Sequence, residues 1–152
     1  MCKKRETTLV NKYNSIIYRL SQPYFDRELS QFKMGSGQHF FLLKISEKPG
    51  ISMLELANEG HYDKGATNRA VNKLLDLGYL KMETDSVDKR IRRLFLTEEA
   101  YPILDTMYEI LESWNIIIQK GLTQEEKLLS EAIAKKMSEN AYEFMKEYRK
   151  KE

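Results

Sequence analysis

The chain has 152 residues, 41% of them hydrophobic, enough to bury one core. Its 25 lysines and arginines against 23 aspartates and glutamates leave a formal net charge of only +2, so whole-chain charge makes no case for a nucleic-acid partner. The single cysteine, Cys2, excludes an internal disulfide and a thiolate zinc cage. No run of about 18 apolar residues is present to span a bilayer, and Lys3, Lys4 and Arg5 lead into polar residues where a signal peptide needs an apolar segment. The expectation is one domain over residues 1–152, cytoplasmic and not bound to a membrane.

From Leu9 to Phe32, Leu9, Tyr13, Ile16, Ile17, Leu20, Tyr24 and Leu29 recur at the spacing of one helix face, with a kink or break expected near Gln22 because Pro23 removes a backbone donor. Gly35 and Gly37 precede a short buried helix over Gln38–Ser46, which Pro49-Gly50 ends in a turn. Ser52-Met53-Leu54-Glu55 fits a capping box that starts another helix at Met53. Gly60 stops it within two turns. Asp63 is an N-cap for a further helix over Lys64–Leu77, closed by Gly78. Two helices joined by a short glycine-containing turn form the helix-turn-helix pattern.

Residues 79–83 and 92–96 alternate as two short strands, and the polar stretch Asp85–Arg90 between them makes the tip of a β-hairpin wing. Thr97 is the expected N-cap of the next helix, whose stripe of Ile103, Leu104, Met107, Ile110, Leu111, Trp114 and Ile117 runs to Gly121, with local distortion expected at Pro102. A second capping box, Thr123-Gln124-Glu125-Glu126, opens the last helix, striped by Leu129, Ile133, Met137, Ala141, Phe144, Met145 and Tyr148. The first helix and the last two bury such stripes by folding back or by meeting a second chain; dimerisation is the expectation. The fold class is mainly α: a winged helix-turn-helix over 34–98 with a two-stranded wing, flanked by dimerisation helices over 4–32 and 99–150.

On a wheel of about 100° per residue, the helix over Lys64–Leu77 puts Ala66, Ala70, Leu74 and Leu77 on one face and Gly65, Asn68, Arg69 and Asn72 on the other. Asn pairs with adenine in the major groove, Arg with guanine or phosphate, and Gly65 permits close backbone approach. The plain alternative is a solvated face. Local charge favours the functional one: residues 63–93 hold eight basic and five acidic side chains, whereas 97–152 hold eight basic and twelve acidic. Positive charge gathers where a phosphate backbone would lie. The expected DNA-binding set is Lys64, Gly65, Asn68, Arg69, Asn72, Lys73, Asp88, Lys89, Arg90 and Arg92.

In order and spacing, Leu54-Glu55-Leu56-Ala57, Asp63 through Leu74, Leu77-Gly78-Tyr79-Leu80, Asp88-Lys89-Arg90 and Leu96-Thr97 resemble the MarR (multiple antibiotic resistance regulator) family over nearly the whole chain. The resemblance implies a transcription regulator, usually a repressor. It implies a homodimer on a pseudo-palindromic operator, with a recognition helix in the major groove and a wing at the minor groove. It also implies that Asp88 orients Arg90 toward DNA. Gly65 and Ala66 stand where the family often has Ser, Pro or Thr, and Ala100 where it often has Gly, which bears on base preference.

Family members bind small aromatic or phenolic effectors, for which Tyr13, Tyr18, Phe40, Phe41 and Trp114 are the candidates here; the plain alternative is that they are core. Cys2 is a poor redox sensor at a chain end, and His39 and His61, without clustered carboxylates, are a poor metal site. No cofactor is expected. Nor is catalysis, since neither a phosphate loop nor a nucleophile elbow occurs. The rival from another class is a winged-helix protein-interaction module without DNA binding, which loss of Arg90 or of the polar helix face would favour; both are present.

Overall fold

A computed structural model of the chain describes residues 9–151; Cys2 and the start of the predicted first helix lie outside them. The chain divides between Trp114 and Asn115 into two compact units. Helix α1 spans Val10–Leu29 and runs into a 3-10 turn, Ser30–Phe32. Of the kink or break expected near Gln22, the break does not occur: the helix continues through Pro23. Burying Phe25 and Leu29, at roughly 1.5–3 kcal/mol each, outweighs a penalty of about 3 kcal/mol for an internal proline.

Helix α2 (His39–Glu47) turns Phe41, Leu42, Leu43 and Ile45 into the core. After it, Ile51–Ser52 forms a two-residue strand, β1, that the sequence pattern did not reveal. Helix α3 (Met53–Gly60) begins with the expected capping box: the Ser52 hydroxyl accepts from the Glu55 amide at 3.3 Å, and the Glu55 carboxylate accepts from the Ser52 amide at 2.8 Å. Helix α4 spans Lys64–Asp76 under the expected N-cap, the Asp63 carboxylate accepting from the Ala66 amide at 2.7 Å. Gly78, at φ +78°, then turns the chain into β2 (Leu80–Thr84).

Strand β3 (Arg92–Leu96) lies between β1 and β2, antiparallel to both, so the expected two-stranded wing, β2–β3, is joined by β1 in a three-stranded sheet. Leu80 pairs with Leu96, Glu83 with Arg93, and Arg93 on its other side with Ser52. The core of this unit joins Phe25, Leu29, Phe41, Leu42, Ile45, Leu56, Val71, Leu74, Leu94 and Met107.

Thr97 does not cap the following helix. Its hydroxyl donates to the Gly78 carbonyl, tying the end of β3 to the C-terminus of α4, and helix α5 (Tyr101–Ile118) starts only after a turn. Pro102 is therefore its second residue, where no backbone donor is needed, and the expected distortion has no cause. In the second unit Gly121, at φ +86°, precedes α6 (Gln124–Tyr148), which opens with the predicted Thr123–Glu126 capping box and buries none of its residues.

Candidate nucleic-acid interface

Helix α4 turns Thr67, Ala70, Val71 and Leu74 into the core. The wheel had Ala66 and Leu77 in that face; both are only half-buried, and Thr67, whose hydroxyl donates to the Asp63 carbonyl at 2.9 Å, replaces Ala66. The opposite face presents Lys64, Gly65, Arg69, Asn72 and Lys73 exposed, with Asn68 half-buried. An Arg69 guanidinium nitrogen would stand 3.3 Å from a Cβ at Gly65, so the glycine leaves the first turn open beside that guanidinium. Lys73 lies toward α1, where its charge helps lower the pKa of Asp26, behind the main effect of the Ser36 amide.

The wing tip is organised by two aspartates. Asp88 accepts from Arg90 Nε at 3.0 Å on one oxygen and from Nη2 at 2.9 Å on the other, a two-point fork that leaves the arginine side chain 90% exposed. The Arg90 amide donates to the same carboxylate at 3.0 Å, and the pair holds Asp88 below the usual carboxylate range. Arg92 donates to the Thr84 hydroxyl across the hairpin, and Lys89 is exposed. The predicted α4 and wing residues thus fall on the second helix of the pair and the adjoining hairpin.

Sequence reasoning missed Asp85 and Arg93. One Asp85 oxygen accepts from the Val87 and Asp88 amides at 2.9 and 2.8 Å, and the other accepts from Arg93 Nε at 2.9 Å. Those contacts, the Asp88 amide foremost, hold the Asp85 carboxyl down at about 2. Arg93 also donates through Nη1 to the Gly50 carbonyl and to the Glu55 carboxylate, both at 3.2 Å. No short-range signal marks these partners, which lie eight to 43 positions apart.

The five aromatic candidates are not gathered into one cleft. Tyr13 and Tyr18 are exposed on α1, and Phe41 is core beside Phe40 and Tyr62, with ring centroids 5.3 and 4.8 Å away. Trp114 packs on Tyr24 and Phe25 instead. His39 lies against Phe25 at 4.8 Å and His61 adopts φ +55° after α3; among the described residues no cluster of His, Cys, Asp or Glu is placed to hold a metal. Nor is any described helix long and apolar enough to cross a membrane.

Two helices in tandem, the second with an open polar face, followed by a hairpin with an arginine at its tip, define a winged helix-turn-helix protein. The model of the MarR family matches residues 34–91. Over 116 residues the chain is 30% identical to the HTH-type transcriptional regulator BilQ of Clostridium symbiosum, covering 76% of this chain and 81% of that protein. The chain belongs to the MarR family, whose members matched here are transcriptional regulators and not enzymes.

Solved structures agree. A MarR transcriptional regulator from Methanosarcina mazei Go1 has a TM-score of 0.83 at 30% identity, over 90% of this chain and 98% of that one. A putative MarR family regulator from Listeria monocytogenes, complexed with a 26mer DNA, shares the fold with a TM-score of 0.85 at 23% identity, over 90% and 91% of the two chains.

Proposed function

We propose that the chain is a sequence-specific regulator that binds double-stranded DNA, represses transcription as a homodimer on a pseudo-palindromic operator and is modulated by a small effector. The observation that carries this reading is the Asp88–Arg90 fork, which offers an exposed guanidinium in one orientation at the wing tip. Lys64, Asn68, Arg69 and Asn72 on α4 then read the major groove while the wing reaches the minor groove, and Lys73, Lys89 and Arg92 meet phosphates. The Listeria monocytogenes protein of the same fold, complexed with a 26mer DNA, is consistent with this use of the fold.

The dimer is supported by apolar side chains left exposed in each unit: Val10, Tyr13, Ile17 and Leu20 along α1, and Leu128, Leu129, Ile133, Phe144 and Tyr148 along α6. Stripes of that extent in water mark association surfaces. The effector class is a small aromatic or phenolic molecule; of the five aromatic candidates Tyr13 and Tyr18 offer exposed surface on α1, whereas Phe41 is buried in the core. Selection of duplexes from a random pool, repeated with phenolic ligands present, tests the whole reading. Enrichment of an inverted repeat supports it, and recovery of no duplex above background rejects it in favour of a protein-interaction module.

A further inference from the structure

We propose that Arg93 and Asp85 are positioning residues for DNA binding: together they brace the wing tip against the first turn of α3, so that Arg90 meets DNA in a set relation to the helix pair. The inference rests on the reading of the wing as a DNA contact. Arg93 is on the central strand, paired with Ser52, the N-cap of α3, on one side and with Glu83 on the other. From there its guanidinium spans two elements. Nη1 reaches the Gly50 carbonyl and the same Glu55 oxygen that accepts from the Ser52 amide in the capping box. Nε reaches Asp85, whose second oxygen collects the Val87 and Asp88 amides.

Asp88 in turn forks onto Arg90, so a continuous chain of charge-assisted hydrogen bonds runs from the start of α3 to the arginine at the tip. The brace is shielded where the arginine is not: the Arg93 and Asp85 side chains are 31% and 18% exposed, against 90% for Arg90. A hairpin tip without such a brace samples many orientations, and ordering it on binding costs affinity. Val87 at the same tip, held by Asp85 through its amide, is 90% exposed although apolar, so its own packing does nothing to order the tip.

The experiment measures affinity for a fluorescein-labelled random-sequence duplex at several salt concentrations, for the parent, Arg90→Ala, Asp85→Asn, Arg93→Lys and the double variant Arg90→Ala/Asp85→Asn. Charge counting predicts that Asp85→Asn, which removes a negative charge, binds more tightly. The brace predicts weaker binding, by about five- to tenfold, a salt slope reduced by about one per subunit, and no further loss in the double variant beyond Arg90→Ala alone.

Arg93→Lys keeps the charge but cannot fork, and it weakens binding likewise with faster amide exchange at Val87 and Asp88. It decides the matter if Asp85→Asn fails to fold. If Asp85→Asn or Arg93→Lys binds as tightly as the parent while Arg90→Ala weakens binding, the brace is overturned and the wing contact stands. Additive losses in the double variant also overturn it. If Arg90→Ala itself binds like the parent, the wing is no DNA contact and both readings fall.

Discussion

Arg90 and Asp88, two residues apart at the wing tip, share two hydrogen bonds between side chains and a third from the arginine amide to the aspartate. An exposed ion pair of this kind contributes little to folding, so its use is to be sought in what the guanidinium meets. Asp88→Ala is expected to weaken binding to the selected operator, although it removes a negative charge from a basic surface. Arg90→Ala is expected to weaken binding to operator and random DNA alike, with a smaller salt slope and the oligomeric state unchanged. Fluorescence titrations at several salt concentrations check both; tighter binding by Asp88→Ala would reduce the wing to a diffuse positive patch.

Under the proposed function, base reading by α4 is separable from the wing contact. Asn68→Ala and Asn72→Ala are expected to relax preference at particular operator positions, at a cost of about 1–3 kcal/mol per bidentate pair lost, with little effect on random duplexes. Repeating the duplex selection with each variant shows whether specific positions lose their preference. Unchanged preferences in both variants would mean that the exposed face of α4 does not read bases.

The exposed stripe of α1 gives a test of assembly. Light scattering at micromolar concentration is expected to give the mass of two chains, and Ile17→Glu, which puts a charge on a side chain 43% exposed, is expected to shift it toward one chain with the fold retained by circular dichroism. A parent that runs as a single chain removes the dimer and with it the palindromic site.

Gly60 ends α3 where Phe40 and Tyr62 close in. A Cβ there would meet the Phe40 ring at 2.5 Å and Tyr62 at 2.6 Å. Replacing a helical glycine by alanine ordinarily gains about 1 kcal/mol, while overpacking costs about 1–3 kcal/mol. Both rings are packed against Phe41, so the clash dominates, and Gly60→Ala is expected to lower the urea midpoint. An increase would show that Phe40 swings aside freely.

His39 makes stability depend on pH. Burial against the core pushes its pKa below the ordinary 6.5, and the Ser36 carbonyl only partly offsets this. The folded chain therefore resists protonation more than the unfolded one. Its contribution is complete above pH 6.5 and declines as pH falls from there toward the depressed folded value. Urea midpoints at about pH 7.5 and about pH 5.5 should differ less in His39→Gln than in the parent. An equal drop in both would place the titration elsewhere.

What the sequence by itself determined was local in physical origin. The two capping boxes and the Asp63 N-cap rest on residues within one turn of each other, so their chemistry is complete in a short window, whereas the buried face of α4 was legible only at Ala70 and Leu74. The Asp88–Arg90 fork, implied by the family resemblance, is likewise local, being two positions wide. Tertiary structure decided the rest, because the deciding partners are far away along the chain. Strand β1 is two residues long and exists only because Leu94 and Arg93 pair with it. Pro23 stays inside α1 because core burial on the same helix outweighs a lost hydrogen bond, and Thr97 leaves its capping role because the Gly78 carbonyl claims its hydroxyl. Arg93 carries no motif at all: its partners Asp85, Gly50 and Glu55 converge only when β3 is laid between β1 and β2, which puts one guanidinium within reach of both the wing tip and the first turn of α3.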